Sequence, residues 1–340
     1  LDEDTRELLK TASVIGRSFF YRILTEVAQT IEDMDSRLAY LKDVELIRER
    51  RRMEELEFLF KHALAQEAAY ESILHQKRKD LHLQVAQSIE RVFTNRLHEF
   101  YGMLSLHYIK GENYEKAEEY LIKAGEEALR TSASSEALNY YQEGLKLYLQ
   151  TNKANADPEK LAMFEKNIAV ALYNKCQWEE SVKHFDKVME FWGIPAYPNK
   201  IITFALFTKN AIIITTGLDF LFQRAKLSTS MRDNEIFDLF YKKCVALLFY
   251  DNIGFFIFAT SCFNRALKYE MNNSPETINV VLGQAGTLAH LGLLLKFSNR
   301  LLQKSDAVMN RKNIKNSMSY TLMRTLIHMF LGNWEKINFF

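Results

Sequence analysis

The sequence contains few of the residues that interrupt regular structure. It has 12 glycines and 4 prolines among 340 residues, about 5% of the chain, whereas average usage is roughly 12%. Turn-rich sandwiches, barrels and disordered chains need far more of both residues. Helical spacing of apolar residues runs through most of the chain. The sequence therefore predicts a mainly all-α protein.

Cysteine is scarce, and neither sign of charge dominates. The three cysteines show no CxxC spacing, which argues against a disulfide framework or a zinc site and favours a reducing compartment. We therefore predict a cytoplasmic protein. Lysine and arginine number 44 against 43 aspartates and glutamates, so no overall field attracts nucleic acid or an anionic membrane. The composition thus argues against both of these partners.

Only one long apolar run occurs, at residues 201–222, and Lys209, Asn210 and Asp219 interrupt it. A charged residue near the centre of a membrane span costs about 2.5–3.5 kcal/mol, so we predict a long buried helix there. A membrane span and a helix that binds a partner or a membrane surface remain alternatives. The chain begins at Leu1 without a signal segment and stops at Phe340 within a helical pattern, so we expect a piece of a longer protein.

Residues 1–95 combine helices with one hairpin. A first helix ends near Gly16, a second is predicted from Phe19, and a third covers residues 33–46. Leu56, Phe58 and Phe60 then alternate with polar residues, as in a half-buried strand of a hairpin. Further helices follow at residues 62–74 and 77–93. Three helices, a hairpin and further helix predict a winged-helix domain over residues 1–95.

Residues 96–340 carry a degenerate helix-turn-helix repeat of about 34 residues, cut short at the C-terminus and irregular at residues 193–230. The pattern predicts a tetratricopeptide-like α-solenoid, whose core forms only by stacking, and places a turn at residues 110–113. Four aromatic residues are predicted at packing positions of second helices, namely Tyr114, Trp178, Phe256 and Trp334. The remaining candidates for partner binding are Tyr101, Tyr108, Tyr140 and Tyr148.

Motifs for catalysis or metal binding are absent from the sequence. It contains no GxxxxGK[ST] phosphate loop and no HExxH, GxSxG or EF-hand pattern. His75 and His82 are seven residues apart beside three basic residues, which predicts a solvated basic face rather than a metal site. We therefore predict no catalytic residue, no metal ligand and no cofactor bound by this chain alone.

The densest basic run comprises Arg48, Arg50, Arg51 and Arg52. A wing of this kind contacts phosphates in DNA-binding winged helices. Surrounding glutamates, among them Glu45 and Glu49, largely cancel its field. A contact to another domain and a solvated hairpin therefore remain open beside DNA binding.

Two segments resemble a known family: LLKTASVIGRSF at residues 8–19 and FLFKHALAQEAAYESIL at residues 58–74. They resemble the winged-helix end of signal-transduction ATPases (STAND class), especially bacterial class III adenylate/guanylate cyclases with an ATPase module and a tetratricopeptide tail. The resemblance implies ATP or ADP with Mg²⁺ in the parent protein. It also implies that His62 contacts the ADP β-phosphate, although Ala63 stands where many relatives have an acidic residue. A structural histidine that caps the hairpin–helix junction is the alternative.

The resemblance implies a non-catalytic regulatory and protein-interaction segment of a multidomain signalling ATPase, fused to a class III nucleotide cyclase. Its helical repeats would bind a protein partner or neighbouring domains, and oligomerisation of the parent is open. A stand-alone tetratricopeptide scaffold and the matching arm of a STAND-type transcription activator are the alternatives.

Overall fold

The structure is a computed structural model. It describes residues 1–52, 54–152, 155–194, 201–202, 204–205, 208, 227–228, 230–266, 268–269, 279–283, 285–286, 295–311 and 318–336. Helices make up 78% of it, beside one small antiparallel sheet, which confirms the mainly all-α prediction. Contacts divide the chain into two compact units, Leu1–Asp157 and Pro158–Phe340.

The first unit contains eight described α-helices and three strands. Its elements are α1 (Glu3–Ile15), β1 (Ser18–Phe20), α2 (Tyr21–Val27), α3 (Met34–Asp43), β2 (Ile47–Arg52), β3 (Glu55–Phe60), α4 (Ala63–Glu71), α5 (His75–Val92), α6 (Tyr101–Lys110), α7 (Tyr114–Arg130) and α8 (Ser134–Asn152). A 3-10 segment, Thr94–Phe100, joins α5 to α6.

The predicted hairpin is present as β2 and β3, and a third strand completes the sheet in the order β1-β3-β2. This third strand corrects the prediction that a helix begins at Phe19, since Phe19 lies in β1 opposite Phe58. Both Phe19 and its neighbour Phe20 are buried, and successive strand residues point to opposite faces. An extended segment therefore buries both rings, and the helix α2 starts only at Tyr21.

One hydrophobic core fills the first unit. It extends from Leu8 through Phe93 and Leu104 to Leu147, so it crosses the predicted domain boundary between residues 95 and 96. The helices on either side of that boundary pack together, and the division of the contacts falls at Asp157 instead. The boundary between a winged-helix domain and helical repeats at residue 95 stays a prediction.

The described part of the second unit includes the helices α9 (Pro158–Asn174), α10 (Trp178–Phe191), α11 (Met231–Tyr250), α12 (Asn252–Ala266), α13 (Leu295–Arg311) and α14 (Met318–Phe330). The predicted repeat positions Ile168, Leu172, Phe185 and Val188 are buried. Helices α9 and α10 pack as a pair joined by a short turn.

Two of the four aromatic residues predicted at packing positions are exposed and correct the repeat pattern there. Tyr114 and Trp334 are exposed, and Trp178 and Phe256 are half-buried. Trp178 packs as predicted, because it lies against the core of the second unit and stacks on Phe249 at 5.2 Å. Most of residues 201–222, and most of the irregular segment 193–230, lie outside the described residues. No helix in the described part of the chain is long and apolar enough to cross a membrane.

Six of the described helices end in the same way. In each, the second residue after the helix (C′) has a left-handed backbone. Its N–H donates to the carbonyl of the helix's second-last residue, and the N–H of the next residue donates to the carbonyl of the third-last, as in the Schellman motif. Glycine usually occupies this position because its φ is positive. Here only Gly193 and Gly332 do so, and the other four are Glu45, Glu112, Ser132 and Cys176.

Candidate functional site

His62 lies between β3 and α4, at the N-cap position of α4. Its carbonyl accepts hydrogen bonds from the N–H groups of Ala65 at 3.2 Å and Gln66 at 3.3 Å. Its imidazole is exposed and makes no capping hydrogen bond. His62 therefore caps the hairpin–helix junction, as the structural alternative predicted, and it does so through its backbone carbonyl and not through its imidazole.

The helix that follows His62 packs on the unit through Ala69 and Tyr70 and leaves its first turn exposed. No residue of α4 is fully buried, and its attachments include a hydrogen bond from Gln66 Nε2 to the Ser13 carbonyl at 2.8 Å. Leu64 is 78% exposed and Leu74, just after the helix, is 80% exposed. Isolated exposed leucines are common; Leu64, in the first turn of α4, is the one that leaves apolar surface beside His62.

The four candidate tyrosines divide into two pairs. Tyr108 is 3% exposed and Tyr148 is 4% exposed, so both rings belong to the interior of the first unit. The Tyr108 ring stacks on Tyr120 at 5.6 Å, and the Tyr148 hydroxyl accepts from the Asp157 N–H at 2.7 Å. In contrast to the prediction that they face a partner, these two side chains hold helices together.

Tyr101 and Tyr140 are half-buried. The Lys123 ammonium lies 6.0 Å from the Tyr101 ring centre. The Tyr140 ring packs against Gly102 so closely that a Cβ there would lie 2.3 Å from its hydroxyl. Burial raises the pKa of the Tyr140 hydroxyl, with Glu136 and Glu143 adding to the effect. Partner binding by Tyr101 and Tyr140 stays a prediction.

A pair of buried histidines links α4, α5 and α6. His82 Nδ1 lies 2.9 Å from His107 Nδ1, and His82 Nε2 lies 3.0 Å from the Tyr70 hydroxyl. Burial, with the charges of Lys110 and Arg78, lowers the pKa of His82 to about 4. Burial and the neighbouring His82 lower the pKa of His107 to about 3. Both imidazoles are therefore neutral near pH 7, so one can donate to the other.

This histidine pair corrects the prediction of a solvated basic face that carries both His75 and His82. His75 is exposed at the start of α5, whereas His82 is buried and its neighbour lies 25 residues downstream. A signal was present, because Leu81, Val85 and Ile89 place His82 beside the buried face of α5.

Two arginines of the basic strand β2 pair with one buried carboxylate on β3, that of Glu57. Glu57 on β3 is 1% exposed and forms ion pairs with Arg50 and, at 3.6 Å, with Arg52. Burial alone raises the pKa of Glu57, but hydrogen bonds from Arg50 and Ser18 and the charges of Arg50 and Arg52 outweigh it, so its pKa lies below the ordinary value. The run of arginines is therefore partly neutralised by its own hairpin.

The described residues include no group of three or more histidine, cysteine, aspartate or glutamate side chains placed to hold a metal ion. For a nucleotide, the exposed His62 imidazole offers one hydrogen bond to a phosphate oxygen. Comparison with family models, with curated proteins and with solved structures finds no match to this chain.

Proposed function

We propose that this chain is a non-catalytic regulatory arm of a multidomain signalling ATPase of the STAND class, attached to a class III nucleotide cyclase. In this proposal residues 1–95 are a winged helix and the helices after them are tetratricopeptide-like repeats. The order of three helices, a hairpin and two further helices supports the first assignment. The helix pairs α6/α7 and α9/α10, whose turns contain the left-handed residues Glu112 and Cys176, support the second.

The observation that carries the proposal is the placement of His62. A histidine that contacts a nucleotide bound by a neighbouring domain needs an exposed imidazole on a fixed backbone. His62 has both, because its carbonyl is fixed in the N-cap of α4 while its side chain faces solvent. The exposed Leu64, in the first turn of α4, gives a neighbouring domain apolar surface to cover beside His62.

In the resting parent protein, His62 would donate a hydrogen bond to a phosphate oxygen of ADP held by the ATPase module. That bond favours the closed arrangement over the open one, so its loss shifts the population toward the open state. The helical repeats would receive a protein partner, a neighbouring domain or a second protomer, and binding there would bias the same equilibrium. Mg²⁺ and ATP belong to the parent's ATPase module, and this chain would supply neither a phosphate loop nor metal ligands.

The test begins with the coding sequence upstream of Leu1, where the proposal expects a GxxxxGK[ST] loop. The full-length protein is then purified, and the nucleotide released on denaturation is quantified by chromatography. We expect the H62A variant to retain less ADP than the wild type, and H75A, which alters another exposed histidine, to retain as much.

Equal ADP retention by H62A and the wild type would refute the role of His62. Absence of any ATPase module would refute the proposal as a whole and leave an interaction scaffold. A DNA-binding output domain in place of a cyclase would identify a transcription activator of the same class.

A further inference from the structure

The strand β2 lies at the edge of the sheet, with β3 on one side only. Within the first unit no described strand pairs with its outer side. All of its residues from Arg48 to Arg52 are exposed, and only Ile47 is buried. An edge of this kind presents a row of backbone donors and acceptors to an incoming strand.

The hydrogen bonds of the hairpin show which backbone groups face outward. The Lys61 N–H donates to the Leu46 carbonyl at 3.0 Å, and pairs in an antiparallel ladder alternate between bonded and non-bonded. By the observed register, Arg48, Arg50 and Arg52 therefore direct their backbone groups at β3. On β2, it follows that Glu49 and Arg51 direct their N–H and C=O groups at the outer edge.

The other side of β3 gives the same alternation. The Phe60 N–H donates to the Arg17 carbonyl at 2.9 Å, toward β1. Since the backbone N–H and C=O of Phe60 face β1, those of its neighbours Leu59 and Lys61 face β2, which agrees with the hydrogen bond from Lys61 to Leu46.

The charges of β2 are compensated at three positions and uncompensated at two. Arg50 and Arg52 pair with Glu57, and Glu49 pairs with Lys42 at 2.8 Å. Among the described residues, Arg48 and Arg51 have no ion-pair partner. Being three positions apart, they project from opposite faces of the strand, so the edge carries one free positive charge on each face.

Charged residues on edge strands often serve only to prevent edge-to-edge association. To prevent association, the edge charges must repel every incoming strand. Two arginines without an ion-pair partner repel basic segments but attract acidic ones, so they do not exclude an acidic strand. A DNA duplex fits this edge less well, because a phosphodiester chain has no amide groups and cannot continue the ladder of backbone hydrogen bonds.

We propose that the outer edge of β2 binds an extended acidic peptide segment as a fourth strand, with two carboxylates three positions apart opposite Arg48 and Arg51. The peptide backbone pairs with Glu49 and Arg51, and its acidic side chains lie on the two faces of the sheet beside the free arginines. Main-chain bonds supply the affinity and the carboxylate spacing supplies the selectivity, as in other cases of strand addition.

The probe is a fluorescein-labelled peptide of valine and threonine with two glutamates three positions apart. Its control has the same composition with the glutamates two positions apart, which places both on one face. Fluorescence anisotropy with the complete chain should show the first peptide binding up to about fivefold more tightly than the second, because the control loses one of the two charge pairs. Equal affinities would mean that charge alone attracts them, and would overturn the proposal.

Two variants separate strand addition from charge attraction. E49P removes an outward-facing N–H while keeping every arginine, and proline is tolerated at an edge position whose N–H faces solvent. We expect it to abolish peptide binding, whereas pure charge attraction predicts unchanged or tighter binding. R48E/R51E should also abolish it, and the matched control R130E, which alters an exposed arginine on α7, should leave it unchanged.

Because the proline could disturb the hairpin, the same question is asked with the wild-type chain and a modified probe. A peptide methylated at the backbone nitrogens that face β2 should fail to bind, since it cannot donate to the Glu49 and Arg51 carbonyls. Retained binding of the methylated peptide would overturn the proposal, as would a DNA duplex that binds the edge more tightly than the peptide does.

Discussion

Lowering the pH from about 7.5 to about 5 should destabilise the first unit, because its core holds two neutral histidines in contact. Near pH 7 neither His82 nor His107 carries a proton beyond its neutral form, since burial lowers both pKa values far below 6.5. In the unfolded chain both imidazoles titrate near pKa 6.5. The unfolded state therefore binds more protons than the folded state wherever the pH lies between the folded and unfolded values.

The sign follows from this difference. Stability contributed by the pair is fully present above pH 6.5 and falls as the pH drops toward the folded pKa of about 4 for His82. From pH 6.5 to 5 the loss for His82 alone is about 2 kcal/mol, at 1.36 kcal/mol per pH unit. His107 cannot be added independently, because protonation of either ring opposes protonation of the other.

The assay is hydrogen exchange followed by mass spectrometry on the complete chain, in peptides that cover α5 and α6, with intrinsic exchange corrected for pH. Opening free energies there should fall by about 2 kcal/mol or more between the two pH values. A variant with H82F and H107L should lose most of this dependence, and the exposed-site control H75Q should keep it. Imidazole resonances of His82 and His107 that titrate near pH 6.5 in the folded protein would refute the reasoning.

Three further predictions concern stability and need only thermal or urea unfolding. S132G should stabilise the chain by about 0.5–1 kcal/mol, because the left-handed backbone of Ser132 (φ 63°) costs a non-glycine residue about 1–2 kcal/mol. The larger conformational entropy that glycine loses on folding offsets part of this gain. A lower unfolding midpoint of the variant would contradict the prediction. The fully buried Lys243 pairs with Asp186 and lies 4.0 Å from the Phe258 ring centre. D186N should therefore lower the free energy of unfolding by about 3–5 kcal/mol, and K243M should lower it less, since the Asp186 carboxylate left behind is partly exposed. Equal losses from the two variants would show that the ion pair is not the cause. G125A should cost about 1–3 kcal/mol, because its Cβ would lie 2.6 Å from Tyr141 Cζ, and combining it with Y141L should recover part of the loss if that contact is the reason.

Sequence patterns predicted the parts of the fold that depend on local periodicity. The alternation of Leu56, Phe58 and Phe60 indicated β3, and the helical spacing of Leu81, Val85 and Ile89 indicated α5. The strand β1 could not be found in this way, because three residues are too few to show a period. Only the pairing of Phe19 with Phe58 across the sheet makes it a strand.

The chemistry of the interior depended on contacts between distant segments and stayed hidden in the sequence. His82 and His107 lie on different helices, and each alone looks like an ordinary residue of a helix face. Glu57 also looked like one solvated acid among several, whereas its register opposite Arg50 buries it. Burial of a polar group is costly without a partner, so such residues can be recognised only once the partner's position is known.

The region around His62 shows a different limit, because the helical period predicts α4 but not which of its side chains the rest of the unit covers. Ala69 and Tyr70 pack against the core of the first unit, and Gln66 bonds to the Ser13 carbonyl. Leu64, in the first turn of α4, remains exposed, although full burial would gain it about 1.5–3 kcal/mol. Which end of a helix is covered depends on neighbours distant in the sequence, so the exposed end of α4 at His62 and Leu64 could be identified only from the structure.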